Sequence, residues 1–225
     1  MTEKSERAEM LEEYSKAFKE YINKEYIGKK GLLDKRTIKK EDKEKHVSYS
    51  KIDGCIFAHI IKNKLDLLLK GTDYHTSINN SYIKGCFTEW DLLICKGKSK
   101  YNIYNPEDVI CAIELKAGGL AGYNGEDRIK EYFHNVDAAL KKATKQSSNK
   151  IKFLYISLND SEKKADIIKR IIDNDYKGRF LYYFITKGSW HYSEWNDNNL
   201  LPAERADDDK KLKEVLEDIL GIKTV

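Results

Sequence analysis

The amino-acid sequence predicts an α/β fold with a core of helix, three strands, helix and strand, plus an N-terminal helix and C-terminal additions. Three observations carry this expectation. Short runs rich in apolar, β-branched and aromatic residues, FTEWDLLIC, VICAIEL, IKFLYIS and RFLYYFIT, have the composition of strands. The segments between several of them repeat apolar positions at helical spacing. Gly118 and Gly119 end one strand ahead of a helix, where the chain has to turn.

Met10, Leu11, Tyr14, Phe18, Tyr21 and Ile22 recur at helical spacing and predict an amphipathic helix over residues 4–26, which needs a partner surface. Gly28, Gly31 and the charged run to Lys45 read as a connection. A second helix, Lys51 to Leu69, turns Ile52, Cys55, Ile56, His59, Ile60 and Leu67 toward the core, with His59 a core histidine rather than a ligand. Strands follow at Ser77–Lys84, Phe87–Cys95 and Val109–Leu115, then a helix from Glu126 to Lys145 and a strand at Ile151–Ser157. A helix at Glu162–Asn174, a strand at Arg179–Thr186 and a helix at Asp207–Leu220 complete the chain. Asp207 to Asp209 serve the start of the last helix, where negative charge interacts well with the dipole. Residues 1–50 are thus a helix and basic connection, 51–160 the core, and 161–225 a helix–strand–helix addition to the same domain.

At 225 residues the chain suffices for one well-packed domain with additions. Pro106 and Pro202 are the only prolines, and no Gly/Ser-rich linker, low-complexity stretch or internal repeat divides the sequence. No apolar run approaches the roughly 18 residues of a membrane span. The N-terminus, MTEKSERAEM, is charged from the start, so the expectation is a cytoplasmic protein with no membrane partner. Cys55, Cys86, Cys95 and Cys111 form no CxxC pair and lie in or beside apolar segments, which predicts buried free thiols rather than zinc ligands or disulfides. The absence of GxxxxGK and GxSxG excludes a P-loop phosphotransferase and a nucleophile-elbow hydrolase.

The net charge of +4 is unevenly spread. Lys24 to Lys45 holds nine basic and five acidic residues, and Lys141 to Lys152 holds five lysines and no acid, so the rest of the chain is net negative by five. Such separation suits a surface that attracts phosphate backbones, and serves equally as a solvated loop and helix end. The stretch GSWHYSEW, residues 188–195, gathers aromatics that stack on bases in some proteins and pack on a sheet in others.

Two carboxylates and an amine stand out. In GCFTEWDLLICK, Asp91 shares a strand face with Glu89 and Leu93, while Leu92 and Ile94 look the other way. After 22 residues, EDVICAIELKAGG puts Glu114 and Lys116 on one face, and Ile113 and Leu115 on the other. Charges in apolar strands are costly unless paired, metal-bound or exposed at a strand end, and hard oxygens suit Mg2+ or Mn2+. An acid two before a lysine is common in a chain that is 35% charged, occurring also at Glu41, Glu162, Asp175, Asp208 and Asp209. Only Glu114 lies in a β-branched apolar run, follows a second acid-bearing strand and precedes the Gly118–Gly119 turn. Asp108 is no substitute for Asp91, because six residues along one strand put it roughly 20 Å from Glu114.

Asp91 followed by Glu114-Leu115-Lys116 resembles the PD-(D/E)xK superfamily of restriction-endonuclease-like nucleases. Residues 51–145 are similar to a group of uncharacterised restriction-endonuclease-like domains, most specifically in NPEDVICAIELKAGGL. The resemblance implies a restriction-endonuclease-like core, Mg2+ or Mn2+ bound by Asp91, Glu114 and the Leu115 carbonyl, and Lys116 orienting the attacking water at a DNA phosphodiester. It also implies a restriction-type or host-defence role, with the terminal elements available for target contacts or a homodimer. Lys141, Lys142 and Lys145 at the end of the helix that leaves the active strand, with Lys150 and Lys152 after it, are expected beside the catalytic edge on flanking phosphates. Two rivals remain: a nuclease for RNA or for branched or single-stranded DNA, and a nuclease-like binding module without activity. The second draws on Ala58 and His59 standing in the first core helix where many relatives carry a glutamate.

Overall fold

The strand VICAIELK is apolar on both faces, and the fold buries it on both. In the computed structural model, which describes residues 5–25, 49–120, 122–145, 150–187 and 209–223, this strand is the centre of a five-stranded mixed sheet. The elements run α1 (Glu6–Glu25), α2 (Tyr49–Leu68), β1 (His75–Thr76), β2 (Ser81–Ile83), β3 (Glu89–Trp90), β4 (Leu92–Cys95), β5 (Ile103–Tyr104) and a 3-10 turn at Pro106–Asp108. There follow β6 (Val109–Lys116), α3 (Glu126–Ala143), β7 (Lys152–Ser157), α4 (Glu162–Asp175), β8 (Phe180–Phe184) and α5 (Leu212–Leu220). The main sheet has the order β1-β4-β6-β7-β8, with β1, β4 and β6 antiparallel and β6, β7 and β8 parallel. Parallel strands need long crossovers, which α3 and α4 supply. A second, three-stranded mixed sheet has the order β3-β2-β5.

Alternation along each strand sends side chains to two cores. Leu92, Ile94, Ile113, Leu115, Leu154 and Ile156 meet Met10, Leu11 and Tyr14 of α1, Phe57, Ile61 and Leu65 of α2, and Leu212, Leu216 and Ile219 of α5. Leu93, Ala112, Phe153 and Tyr155 meet Ile129, Phe133, Val136 and Leu140 of α3 and Ala165, Ile168 and Ile172 of α4. The small sheet closes this second core with Ile83, Trp90 and Tyr104. Phe133 is fully buried at its middle, with Phe153, Tyr155 and Phe180 rings 6.1–6.3 Å away. Burying one such side chain contributes about 1.5–3 kcal/mol. The helix-on-sheet-on-helix class and the alternation around Asp91 and Glu114 agree with the sequence.

Several boundaries differ. The expected strand at Ser77–Lys84 shortens to β2, with β1 ending just before it at Thr76, and the one at Phe87–Cys95 is split into β3 and β4, because the chain leaves the main sheet to build the small one. Asn80, with φ 61°, marks one of these departures and the bend at Asp91 the other. In α2 the buried side is Phe57, Ile60, Ile61, Leu65 and Leu69, whereas Cys55, His59 and Leu67 are exposed and His59 Nε2 meets the Asn63 amide at 3.0 Å. Cys55 is therefore a surface thiol, unlike buried Cys86, Cys95 and Cys111. The last helix starts at Leu212 and is opened by Lys211 and Glu214, not by aspartates. Asp209 instead pairs with Lys169 at 3.2 Å and Lys187 at 2.8 Å. The connection Gly28–Lys45, the stretch 188–195 and Asp207 and Asp208 lie outside the described residues. Among the described residues no helix is long and apolar enough to cross a membrane.

Candidate active site

Asp91 occupies the bend between β3 and β4. In the β4–β6 register Leu92 faces Ile113 and Leu93 faces Ala112, so one step further Asp91 stands opposite Glu114. Opposed residues of an antiparallel ladder carry their side chains on one face, here the face of the second core. Since β4 begins only at Leu92, the Leu115 N–H has no strand partner there, and Asp91 Oδ2 accepts it at 2.7 Å. A side chain thus stands in for the missing strand. The N–H and C=O of one strand residue point the same way, so the Leu115 carbonyl also looks toward Asp91.

Glu114 and Lys116 share their face as the alternation requires, and Lys116 Nζ donates to Glu114 Oε1 in an ion pair. Across the parallel ladder Glu114 is level with Tyr155 and Lys116 with Ser157. The three groups therefore stand at the carboxyl ends of parallel strands, the edge at which α/β sheets take ligands. Burial pushes the Asp91 carboxyl above its ordinary value and Glu89 adds to the rise, against the Leu115 N–H and Lys116, which pull it down. Burial, then the charge of Asp91, raises Glu114 as well, with Lys116 opposing. A cation between two neighbouring carboxyls that burial raises would pull both back down.

The sequence did not single out three further groups. Glu89, paired in the small sheet, accepts a hydrogen bond from the Tyr82 hydroxyl and acts electrostatically on both acids. Its shared face with Asp91 was the available signal. The Tyr132 hydroxyl of α3 is buried with no hydrogen-bond partner among the described residues. Burial, then Glu114 and Asp91, raise it well above its ordinary value, and its ring lies edge-on to Tyr123 at 5.4 Å. Buried Asp160 accepts from the Leu120 N–H at 3.1 Å and the Tyr155 hydroxyl at 2.7 Å, and so fixes the turn after β6. Neither Tyr132 nor Asp160 carries a local sequence signal, because both act through distant strands.

The lysine run is not brought to these acids. From Ser157, level with Lys116, back to Lys152 is five strand residues, about 16 Å. Helix α3 runs the same way, so Lys141, Lys142 and Lys145 gather at the far end of the crossover with Lys150. Lys141 is held by Asp137 at 2.7 Å, and Lys152 Nζ donates to the Asp218 carbonyl at 2.5 Å. Lys142 and Lys145 line a cavity of about 570 Å3 with Lys84, Asn105 and Glu107. The expectation that this helix end lies beside the acids is corrected: the connection runs antiparallel to β6 and carries it away.

Among the described residues no three His, Cys, Asp or Glu side chains gather as a metal site. Two carboxylates and a carbonyl still match Mg2+, which is commonly held by one or two carboxylates, waters and substrate phosphates. Asp91 Oδ1 and Glu114 Oε2 are the oxygens not engaged by Leu115 and Lys116. No protein-family model, no curated protein and no solved structure matches this chain.

Proposed function

We propose that the chain is a Mg2+- or Mn2+-dependent nuclease of the PD-(D/E)xK, restriction-endonuclease-like class that hydrolyses DNA phosphodiester bonds. The observation that carries this reading is the opposition of Asp91 and Glu114, both with raised carboxyls, beside Lys116 at the carboxyl ends of parallel strands. The helix, β1, β4, β6, helix, β7 order of the main sheet supports the class.

Asp91, Glu114 and the Leu115 carbonyl would hold the cation, which supplies Lewis acidity and charge neutralisation at the phosphate. Asp91 is oriented for this by the Leu115 N–H, and Glu114 by its strand. Lys116 reaches the same space from two residues along and orients the attacking water while countering charge on the phosphate oxygens. The leaving oxygen takes its proton from solvent, which reaches the site where Lys116 is one-third exposed.

Plasmid DNA incubated with Mg2+, with and without chelator, tests the proposal. Cleavage that needs the cation and is lost in Glu114→Gln and Lys116→Met supports it. Cleavage indifferent to chelation, or retained at the wild-type rate in those variants, overturns it. A second function, nucleic-acid binding without cleavage, is favoured because no three His, Cys, Asp or Glu side chains gather as a metal site among the described residues. Tight binding with no product under Mg2+ or Mn2+ would select it.

A further inference from the structure

The small sheet has an outer face that is uncovered among the described residues. Ser81, Ile83, Trp90 and Tyr104 point inward, so alternation turns Tyr82, Glu89 and Ile103 outward, and these three form one row, Glu89 beside Tyr82 and Tyr82 beside Ile103. On its strands and in the loops that join them stand four exposed large apolar groups: Phe87 at 103% of its free surface, Tyr101 at 74%, Ile78 at 59% and Ile103 itself at 55%. Exposed apolar groups gathered on one small sheet and the loops that join its strands need a reason, since scattered single apolar residues are ordinary but a gathered set marks a contact surface.

The charge around the rings identifies the contact. Residues 77–104 contain four lysines, Lys84, Lys96, Lys98 and Lys100, against two acids, Glu89 and Asp91, and both acids belong to the candidate site. Lys100 Nζ lies over the Tyr101 ring at 5.3 Å. At the β2–β3 turn the backbone of Gly85 approaches Lys142 and Ala143, so Lys84 joins Lys142 and Lys145 around one cavity. Glu89 at the other end acts on Asp91 and Glu114. The face therefore leads from the acid pair, through Glu89, to Lys84 and the lysine group. A protein-binding face depletes its centre of lysine, whereas interleaved lysines and exposed rings suit a phosphate backbone with bases stacked on the rings. Paired bases in a duplex do not offer those faces. The segment is also preorganised: the Ser99 hydroxyl accepts the Tyr101 N–H at 3.3 Å and the Ile103 N–H at 2.9 Å, fixing the loop that presents Tyr101.

We propose that the outer face of the small sheet binds nucleic acid with unpaired bases, which stack on Phe87 and Tyr101 while Lys84, Lys98 and Lys100 track the phosphates toward Asp91 and Glu114. This rests on the nuclease reading for the fate of the strand, and it narrows the substrate to single-stranded or unpaired segments.

The test is fluorescence anisotropy of the full chain in chelator, with oligothymidylate, oligouridylate and a mixed-sequence duplex of equal length. Phe87→Ala, Tyr101→Ala and the double variant remove exposed rings, so thermal unfolding should not move. The double variant is expected to lose at least about tenfold in affinity for a single strand, at roughly fivefold or more per stacked ring, while duplex affinity holds. Binding of either oligonucleotide supports the proposal, and the stronger names the sugar. Unchanged single-strand affinity overturns it, as does an equal loss on duplex. So does a wild-type oligomer that the double variant dissolves, which would make this face a protein interface. With cations chelated, the readout is independent of cleavage: single-strand binding through this face without any Mg2+-dependent product sinks the nuclease reading alone, and cleavage with unaltered affinity in the double variant sinks this one alone.

Discussion

Replacing Gly119 by alanine should destabilise the protein heavily, and replacing its neighbour Gly118 should not. Gly119 is buried with φ +65°, a conformation that costs an L side chain roughly 1–2 kcal/mol. A Cβ there would meet the Asn159 carbonyl oxygen at 2.8 Å and press on the Asp160 carboxylate. Neither neighbour is free to retreat, since Asn159 contributes backbone and Asp160 holds the Leu120 N–H and the Tyr155 hydroxyl. Overpacking of this kind costs about 1–3 kcal/mol, so the sum is on the order of 2–5 kcal/mol. For a chain of this length each kcal/mol moves Tm by about 2–4 °C, which predicts a fall of roughly 4–20 °C. Gly118 is exposed, has no positive φ and has nothing within 4 Å of its Cβ position. Alanine there stabilises by about 0.4–1 kcal/mol through the unfolded chain. Differential scanning calorimetry of the two variants reads the contrast. Equal Tm values would refute the close packing of this turn on Asp160, and with it the way the end of β6 is held.

A carboxyl raised above its unfolded value favours folding while protonated, and that contribution is lost as pH rises through the folded value. Burial and Asp91 raise Glu114, so Glu114→Gln should raise the cation-free Tm at neutral pH, the gain shrinking as pH falls to about 4. A gain that is the same at both pH values would reject the cause. Tyr132→Phe removes a buried hydroxyl without a partner among the described residues and should stabilise by about 1 kcal/mol in a urea titration, whereas a loss would reveal a partner for it. In a thiol-labelling time course Cys55 should react first, while Cys95, buried and pushed up to about 12, and buried Cys86 and Cys111 react only on unfolding; four equal rates would contradict the burial.

The buried central strands and the helices α3 and α4 were legible in the sequence because each shows one period with one partner surface. Ile129, Phe133, Val136 and Leu140 can face only one way on a helix. Helix α2 was legible as a helix but not in its facing, because CIFAHIIKNKLDLLL is apolar over most of its circumference and two stripes compete. Packing chose the side carrying Phe57, Ile61 and Leu65 and left Cys55, His59 and Leu67 outside. Asp209 has the composition of a helix start but is taken by Lys169 and Lys187, partners distant in sequence. The opposition of Asp91 and Glu114 could be read because it needs only alternation and a register. The small sheet could not, since β2, β3 and β5 are two or three residues long and carry no period.

The break at Asp91 gives this residue two jobs that one pair of variants separates. Ending β4 at Leu92 exposes the β6 edge at Leu115, and the Asp91 carboxylate both satisfies that N–H and faces Glu114. As an acceptor it stabilises the edge; as a charge raised by burial and by Glu89 it destabilises the cation-free fold at neutral pH. Asp91→Asn keeps an acceptor oxygen and removes the charge, so its cation-free Tm should equal or exceed that of the wild type. Asp91→Ala removes both and leaves the Leu115 N–H to water, costing about 1–3 kcal/mol relative to asparagine. Magnesium at a hundredfold excess over its Kd would stabilise the wild type by about 2.7 kcal/mol, and neither variant should follow. Asparagine and alanine variants of equal stability would remove the structural job, and a magnesium-dependent rise surviving in Asp91→Asn would remove the chemical one.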